Sequence, residues 1–168
     1  MELWDLYTEN RELTGKTHIR GEEIPEGYYH LVVHVWIKNS KGEYLISQRS
    51  ATRPTFPLMW ETVGGSVLAG EDSLTAALRE AKEEVGLELL PESGRLLFTQ
   101  VRSVIDGKQY NDIADIWLFH YDENTAPPVD TDEVAQSRWM TRDQIEALWS
   151  TGKLVESLYY FFDKVDKQ

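Results

Sequence analysis

One segment of the chain, Asp72 to Val85, has the spacing of an amphipathic helix, and it constrains how the rest of the chain can fold. At about 100° per residue, one arc of this helix is apolar and is predicted to face a core. The arc consists of Leu74, Ala77, Leu78, Ala81 and Val85. Gly86 follows and is predicted to end the helix as a C-terminal cap. The fold must therefore offer an apolar layer to this helix.

A different arc of the same helix carries three acids, Glu80, Glu83 and Glu84. Their i, i+3 and i, i+4 spacing makes the carboxylates neighbours, and like charges so placed cost about 0.2–0.5 kcal/mol per pair. A bound magnesium or manganese ion would reverse the sign of that interaction, because carboxylate oxygens are good ligands for hard cations. The alternative is a solvated acidic face with Arg79 and Lys82 as local partners. The helix taken alone favours that alternative.

Strand-like segments lie on both sides of this helix. His30 to Lys38 is rich in β-branched and aromatic residues and is apolar on both faces, as expected of a covered strand. Leu3 to Leu13 is predicted to form a hairpin, and Thr141 to Gln144 matches a capping box that opens a helix to about Trp149. The other predicted elements are strands at 43–49, 60–68 (interrupted at the Gly64-Gly65 pair), 95–104, 113–121 and 136–140, and a last helix at 155–165. This order indicates a mixed α/β domain.

Composition excludes several functional classes. The 168 residues predict about one domain. The absence of cysteine excludes disulfide scaffolds, thiolate zinc sites and cysteine nucleophiles. The formal net charge of −12 argues against nucleic acid and anionic membranes as partners. An acidic protein that handles phosphates needs a divalent metal to screen the repulsion. With no signal-like or membrane-spanning segment in the sequence, the cytoplasm is the expected compartment.

The spacing around the acidic helix is more specific than the acids themselves. It runs Gly65, five residues, Glu71, seven residues, Arg79-Glu80-Ala81, one residue, Glu83-Glu84, one residue, Gly86-Leu87. This pattern over residues 65–87 resembles the Nudix box of the Nudix hydrolases. The resemblance implies an α/β/α sandwich with a central mixed sheet, here with an N-terminal β-hairpin extension. It divides the chain into an extension at 1–27 and a Nudix hydrolase domain at 28–168.

The resemblance also implies the chemistry. Nudix hydrolases cleave a pyrophosphate bond, and the substrate implied here is a nucleoside diphosphate linked to another moiety, or a related nucleotide. The implied cofactor is Mg²⁺, with Mn²⁺ as an option. Its implied ligands are Glu80, Glu83, Glu84 and the Gly64 carbonyl. Glu71 and Arg79 match the ion pair that braces the turn between loop and helix.

Other candidate site residues carry alternatives. Glu133 is the candidate general base from a loop after the box, with Asp130 and Asp132 beside it; a solvated acidic loop is the alternative, and Glu80 is the rival base. Arg49 and Arg53 are candidates for holding phosphates, against the alternative of surface arginines, and the Gly64-Gly65 pair lets the backbone approach the substrate. Three aromatic residues are candidates for base stacking or for core packing: Trp60, Tyr110 and Trp117. His30 and His34 are too far apart along one strand to share a metal, and we interpret them as core or sheet-face residues.

The segment from His30 to Trp60 is similar to the isopentenyl-diphosphate isomerase branch of the same family. That isomerase needs a cysteine where this chain has Gly64, so isomerase activity is disfavoured but stays an alternative. A non-catalytic nucleotide sensor is the second alternative. The aromatic stretch Leu158 to Phe162 is either core or the surface of a homodimer.

Overall fold

A computed structural model describes residues 1–105, 107–122 and 131–167, and its main element is a seven-stranded mixed sheet. A separate two-stranded hairpin precedes the sheet. The strands are β1 (Leu3–Tyr7), β2 (Leu13–Ile19), β3 (His30–Lys38), β4 (Tyr44–Arg49), β5 (Trp60–Glu61), β6 (Val63–Ser66), β7 (Gly94–Ile105), β8 (Lys108–His120) and β9 (Val134–Met140). The helices are α1 (Ser73–Val85) and α2 (Arg142–Ser150). The predicted α/β class and the N-terminal hairpin are confirmed.

Strand β3 lies at the centre of the sheet and organises it. It pairs in parallel with β8 along its whole length, from His30–Asp112 to Lys38–His120. It pairs with β4 at Lys38–Tyr44 alone, after which the two strands separate. Beyond that point β6 pairs with β3, whereas β5 and β9 pair with β4. Strand β6 therefore takes the place of β4 beside the middle of β3.

Apolar clusters cover the two faces of the sheet. On one face α1 packs through Ala77, Ala81 and Val85 against alternate residues of β3. On the other face Val32 and Trp36 of β3 pack against α2 and the C-terminal segment. The result is the predicted α/β/α sandwich, and β3, which is covered on both faces, is accordingly apolar at most of its positions.

The N-terminal hairpin is fixed to the domain by several contacts. Arg11 donates two hydrogen bonds to Asp115, at 2.5 and 2.6 Å. Trp4 stacks on His30 with ring centroids 4.0 Å apart. The loop before α1 is held directly, since Ala69 N–H donates to the Leu3 carbonyl at 2.8 Å and Gly70 N–H donates to the Asp5 carboxylate at 2.7 Å. The division of the chain at residues 1–27 and 28–168 stays a prediction.

The C-terminal segment differs from the predicted helix at 155–165. It forms a short 3-10 turn at Glu156–Leu158 and a π-helical turn at Phe161–Val165. Tyr160 and Phe161 are both buried in the core cluster that contains Trp36 of β3. The aromatic stretch is therefore mostly core, with Tyr159 48% exposed. Its possible role in a homodimer stays a prediction.

Two further comparisons with the sequence concern α2 and β8. The capping box of α2 is confirmed, because Thr141 and Gln144 exchange both hydrogen bonds. Strand β8 begins at Lys108 and is longer than predicted.

No helix within the described ranges is long and apolar enough to cross a membrane.

Candidate active site

The position of α1 is set by both of its ends. Asp72 caps the N-terminus by accepting from the Thr75 N–H at 2.7 Å. Gly86 ends the helix in the left-handed region at φ 69° and donates to the Lys82 carbonyl at 3.0 Å. Glycine adopts this conformation without the steric cost of a Cβ. With both ends fixed, the acidic arc of the helix faces the Gly64-Gly65 segment of β6.

Arg79 is the centre of an ion-pair network. Its guanidinium binds Glu71 at 2.8 and 3.0 Å and the Ser66 carbonyl at 3.0 Å. It also contacts Glu80 at 2.9 Å and the exposed Glu83 at 3.2 Å. Burial alone would raise the pKa of Glu71, but the hydrogen bonds from Arg79 and from the Leu68 N–H lower it below its usual value. The structure thus brings together the predicted Glu71–Arg79 pair and joins it to two of the three acids.

Glu84 is the most buried of the three acids. Its carboxylate accepts from the Gly64 N–H at 3.2 Å, and no lysine or arginine of the described chain lies within ion-pair distance of it. Burial, followed by the negative charges of Glu61 and Glu80, raises its pKa well above the usual value. Burial also raises the pKa of Glu80 to about 7, against the opposing effect of Arg79. Such shifts concentrate at functional sites.

These residues line a small acid cleft beside a larger inner cavity. The acid cleft is lined by Glu2, Arg20, Arg53, Gly64, Gly65, Ser66, Glu80, Glu83, Glu84 and Glu133. The inner cavity has a volume of about 280 Å³ and opens where β3 and β4 separate. Gly64, Gly65 and Glu84 contribute to both, so a substrate lying across the two glycines would reach both spaces.

Gly64 and Gly65 each occupy a place with no room for a side chain. A Cβ at Gly64 would lie 2.6 Å from the Val33 carbonyl oxygen. A Cβ at Gly65 would overlap the carboxylate of Glu80. The first obstacle is rigid backbone, whereas the second is the end of a side chain that can move.

We expect Gly64→Ala to destabilise the protein by about 1–3 kcal/mol, the usual cost of overpacking. Gly65→Ala should cost less stability, because Glu80 can rotate away, yet it should still lower activity by displacing a candidate metal ligand. Denaturant unfolding and activity assays on both variants check the prediction. Equal stability losses at the two positions would contradict it.

The acid set fits a divalent cation by its chemistry. A buried carboxylate without a cationic partner, next to two further carboxylates, is costly unless positive charge compensates it. Within residues 1–105, 107–122 and 131–167, no three histidine or acidic side chains converge as a ready metal cage in this conformation. Glu80 and Glu83 are turned towards Arg79 instead. A cation would therefore compete with Arg79 for these two acids.

The two candidate phosphate-binding arginines both line the inner cavity. Most donors of Arg49 already have partners within the protein: Nη1 donates to Glu61 at 2.8 Å and Nε donates to the Thr55 carbonyl at 2.9 Å. Arg53 forms an ion pair with Glu133 at 3.2 Å. Arg53 also lines the acid cleft, and it is thus the better placed of the two to reach a diphosphate near the glutamates.

Glu133 is placed at the acid cleft, and its side chain is 53% exposed. The backbone carbonyl of the exposed Asp132 accepts from Ser50 Oγ at 2.7 Å. Asp130 and most of the loop predicted at 125–132 lie outside the described residues.

The structure gives the packing of the remaining aromatic and histidine candidates. Trp60 is buried in the core, and Trp117 donates to Ser73 Oγ at 2.9 Å while packing against the α1 face. Tyr110 lies over the guanidinium of Arg102 at 4.7 Å. His30 stacks on Trp4, and His34 lines the inner cavity.

Sequence reasoning missed several residues that line the two spaces. Glu2 and Arg20 bring the N-terminal hairpin to the acid cleft, where they pair with each other. Glu61 and Arg102 line the inner cavity. The position of Arg102 depends on the pairing of β7 with β8, which register shifts interrupt, so alternation along β7 was not a usable signal. For the hairpin residues the sequence held no signal either.

Comparison with known proteins decides the family. The family model for the NUDIX domain matches residues 28–164. The chain belongs to the Nudix family. An uncharacterised Nudix hydrolase of Listeria innocua is 40% identical over 168 residues, covering 98% of this chain and 94% of the relative. This Nudix chain is therefore a hydrolase. The isopentenyl-diphosphate Delta-isomerase I of Camptotheca acuminata is 32% identical over 165 residues, and the match covers 85% of this chain and 68% of the isomerase.

Solved structures agree with the Nudix fold. A crystal structure of a Deinococcus radiodurans protein superposes with a TM-score of 0.72 at 24% identity, covering 92% of each chain. The bifunctional NMN adenylyltransferase/ADP ribose pyrophosphatase of Francisella tularensis, complexed with AMP and manganese, gives a TM-score of 0.61 at 20% identity. That match covers 80% of this chain and 40% of the Francisella chain. These likenesses show the fold.

Proposed function

We propose that this Nudix hydrolase cleaves a pyrophosphate bond in a nucleoside diphosphate linked to another moiety, or in a related nucleotide, and that it requires Mg²⁺ or Mn²⁺. The observation that carries the proposal is the grouping of Glu80, Glu83 and Glu84 against the Gly64-Gly65 backbone, with Glu84 buried and lacking a cationic partner in the described chain. The Francisella neighbour, which holds AMP and manganese, supports the choice of nucleotide and metal.

Each residue has a role in this proposal. Glu80, Glu83, Glu84 and the Gly64 carbonyl would hold the cation. When bound, the cation screens the phosphate charge and supplies Lewis-acid stabilisation of the leaving group. Arg79 and Glu71 hold the loop and helix in register, and Arg53 binds a phosphate oxygen. Glu133, or its rival Glu80, removes a proton from the attacking water.

A substrate screen tests the proposal. Purified protein is incubated with a panel of nucleoside diphosphate compounds and nucleoside triphosphates, with Mg²⁺, with Mn²⁺ or with EDTA, and phosphate is measured after phosphatase coupling. The expected result is hydrolysis of at least one compound with a metal and none with EDTA. Tight binding without turnover across the panel would instead favour the nucleotide-sensor alternative.

We expect no isopentenyl-diphosphate isomerase activity, although isomerases are among the relatives. Protonating an alkene needs a positioned acid, and Gly64 replaces the cysteine that the isomerase branch uses. A side chain at residue 64 would meet the Val33 carbonyl oxygen, so the backbone leaves no room for a substitute. Incubation with isopentenyl diphosphate followed by product analysis checks this. Formation of dimethylallyl diphosphate by the pure protein would contradict it.

A further inference from the structure

A chain of hydrogen bonds beneath the inner cavity fixes the protonation pattern of one histidine. Trp36 Nε1–H donates to the hydroxyl oxygen of Tyr160 at 3.1 Å. The same hydroxyl lies 2.6 Å from Nδ1 of His34. Tyr160 is 2% exposed, so water does not reach its proton readily, and a buried donor without an acceptor is costly.

This geometry determines the tautomer of His34. The indole can only donate, so the Tyr160 oxygen accepts from Trp36 and its own proton is directed to Nδ1 of His34. An imidazole that accepts at Nδ1 carries its proton at Nε2. His34 lines the inner cavity, and within the part of the chain that the structure describes Nε2 has no hydrogen-bond partner. The histidine thus offers a fixed N–H donor to the cavity.

The charges around the cavity decide which acceptor suits this donor. Arg49 is paired with Glu61 at 2.8 Å, and Arg102 is paired with Asp112 at 2.6 and 2.7 Å. Both buried cations have a carboxylate partner, although Nη1 of Arg102 is buried without a hydrogen-bond partner. The third arginine of the cavity, Arg53, lies where the cavity meets the acid cleft and is the phosphate ligand of the proposed function. Balanced ion pairs next to a neutral donor favour an uncharged oxygen.

We propose that His34 binds, through Nε2–H, a carbonyl or hydroxyl oxygen on the uncharged organic group of the substrate, and thereby selects that group. Tyr160 is the positioning residue, because its hydroxyl holds the imidazole in the donating tautomer. The inference rests on the proposed function for the placement of the diphosphate across Gly64 and Gly65. The selected class is a diphosphate whose organic end, small enough for about 280 Å³, presents a hydrogen-bond acceptor.

Nitrogen-15 NMR of the histidine side chains tests the tautomer without any turnover. The chain has four histidines, and a His34→Gln spectrum assigns the signal of interest. We expect His34 as the Nε2–H tautomer in the wild type and a mixture of tautomers in Tyr160→Phe. A wild-type Nδ1–H tautomer, or an unchanged spectrum in Tyr160→Phe, would overturn the proposal.

The same spectra test binding in EDTA. The four common nucleoside monophosphates and ribose 5-phosphate are added one at a time, with inorganic phosphate as the charged probe that lacks an organic group. At least one organic monophosphate should shift the Nε2 signal of His34, and phosphate alone should not. A shift with phosphate would assign the cavity to an anion, and no shift with any compound would exclude the contact; both results overturn the proposal.

Kinetics on the best substrate from the screen give an independent readout. His34→Phe should raise KM about 10-fold with kcat little changed, and His34→Gln, which keeps an N–H donor, should recover part of the loss. His120→Gln, at an exposed position outside the cavity, is the matched control. A fall in kcat at constant KM would contradict the proposal. If the wild type hydrolyses nothing, the proposed function fails, while the NMR spectra still decide the role of His34.

Discussion

Glu84→Gln is expected to lower kcat by more than about 100-fold while leaving the fold intact. Substituting a residue that only contacts a metal ligand already lowers metal affinity or activity by roughly 10–100-fold. Glu84 is a candidate ligand itself. The glutamine oxygen can still accept from the Gly64 N–H, so the local hydrogen bond survives. Steady-state kinetics with Mg²⁺ and Mn²⁺ measure the effect, and near-wild-type turnover would remove Glu84 from the metal site.

The same substitution should change how the stability of the metal-free protein depends on pH. Because the pKa of Glu84 is raised in the folded state, the folded protein holds a proton that the unfolded chain has released. Wild-type stability therefore falls as pH rises from the ordinary glutamate value of 4.5 towards the raised value. In EDTA, Glu84→Gln should show a smaller decline, because the part due to Glu80, whose pKa is raised to about 7, remains. The variant should unfold at a higher temperature than the wild type at pH 7. The exposed Glu83→Gln serves as the control, and it should retain the decline because Glu84 is still present.

Glu133→Gln is expected to lower kcat by roughly 10²–10⁴, the range for general acid–base catalysis, with a smaller effect on KM. The carboxylate lines the acid cleft with Glu80 and Glu84, and a half-exposed loop residue can approach the substrate as the site closes. Its ion pair with Arg53 should also change when a phosphate binds that arginine.

Two variants separate Glu133 from its rivals. Asp132→Asn should be nearly silent, since the Asp132 contact to Ser50 runs through the backbone. Glu80→Gln should lower kcat and should also raise the metal concentration needed for half-maximal activity, because Glu80 is a candidate ligand. An unchanged kcat in Glu133→Gln would make Glu133 a surface residue, and a damaging Asp132→Asn would move the base by one position.

The sequence predicted the parts of the fold that depend on local signals. The helix at Ser73–Val85 has a capping aspartate, an apolar arc and a terminal glycine, and each signal acts within one or two turns. The capping box at Thr141 is equally local. The C-terminal turns were missed because Tyr160 and Phe161 are both buried by contacts with β3, which is more than a hundred residues away in sequence.

The candidate site divides in the same way. The Glu71–Arg79 pair and the acids of α1 follow from spacing within the Nudix box. The inner cavity exists because β3 and β4 separate after Lys38–Tyr44, and nothing in the two strand sequences marks that separation. The role of His34 depends on Tyr160, 126 residues further along the chain, so alternation along β3 could give its face and not its partner.

The attachment of the N-terminal hairpin has a consequence for how this protein relates to others. The family match begins at residue 28, yet the loop that leads into α1 is hydrogen-bonded to Leu3 and Asp5 of the hairpin. A version of the chain trimmed to the family boundary would keep every residue of the Nudix box and lose the support of the loop that positions it. Changes in the hairpin can therefore shift the site without altering any residue of the Nudix box.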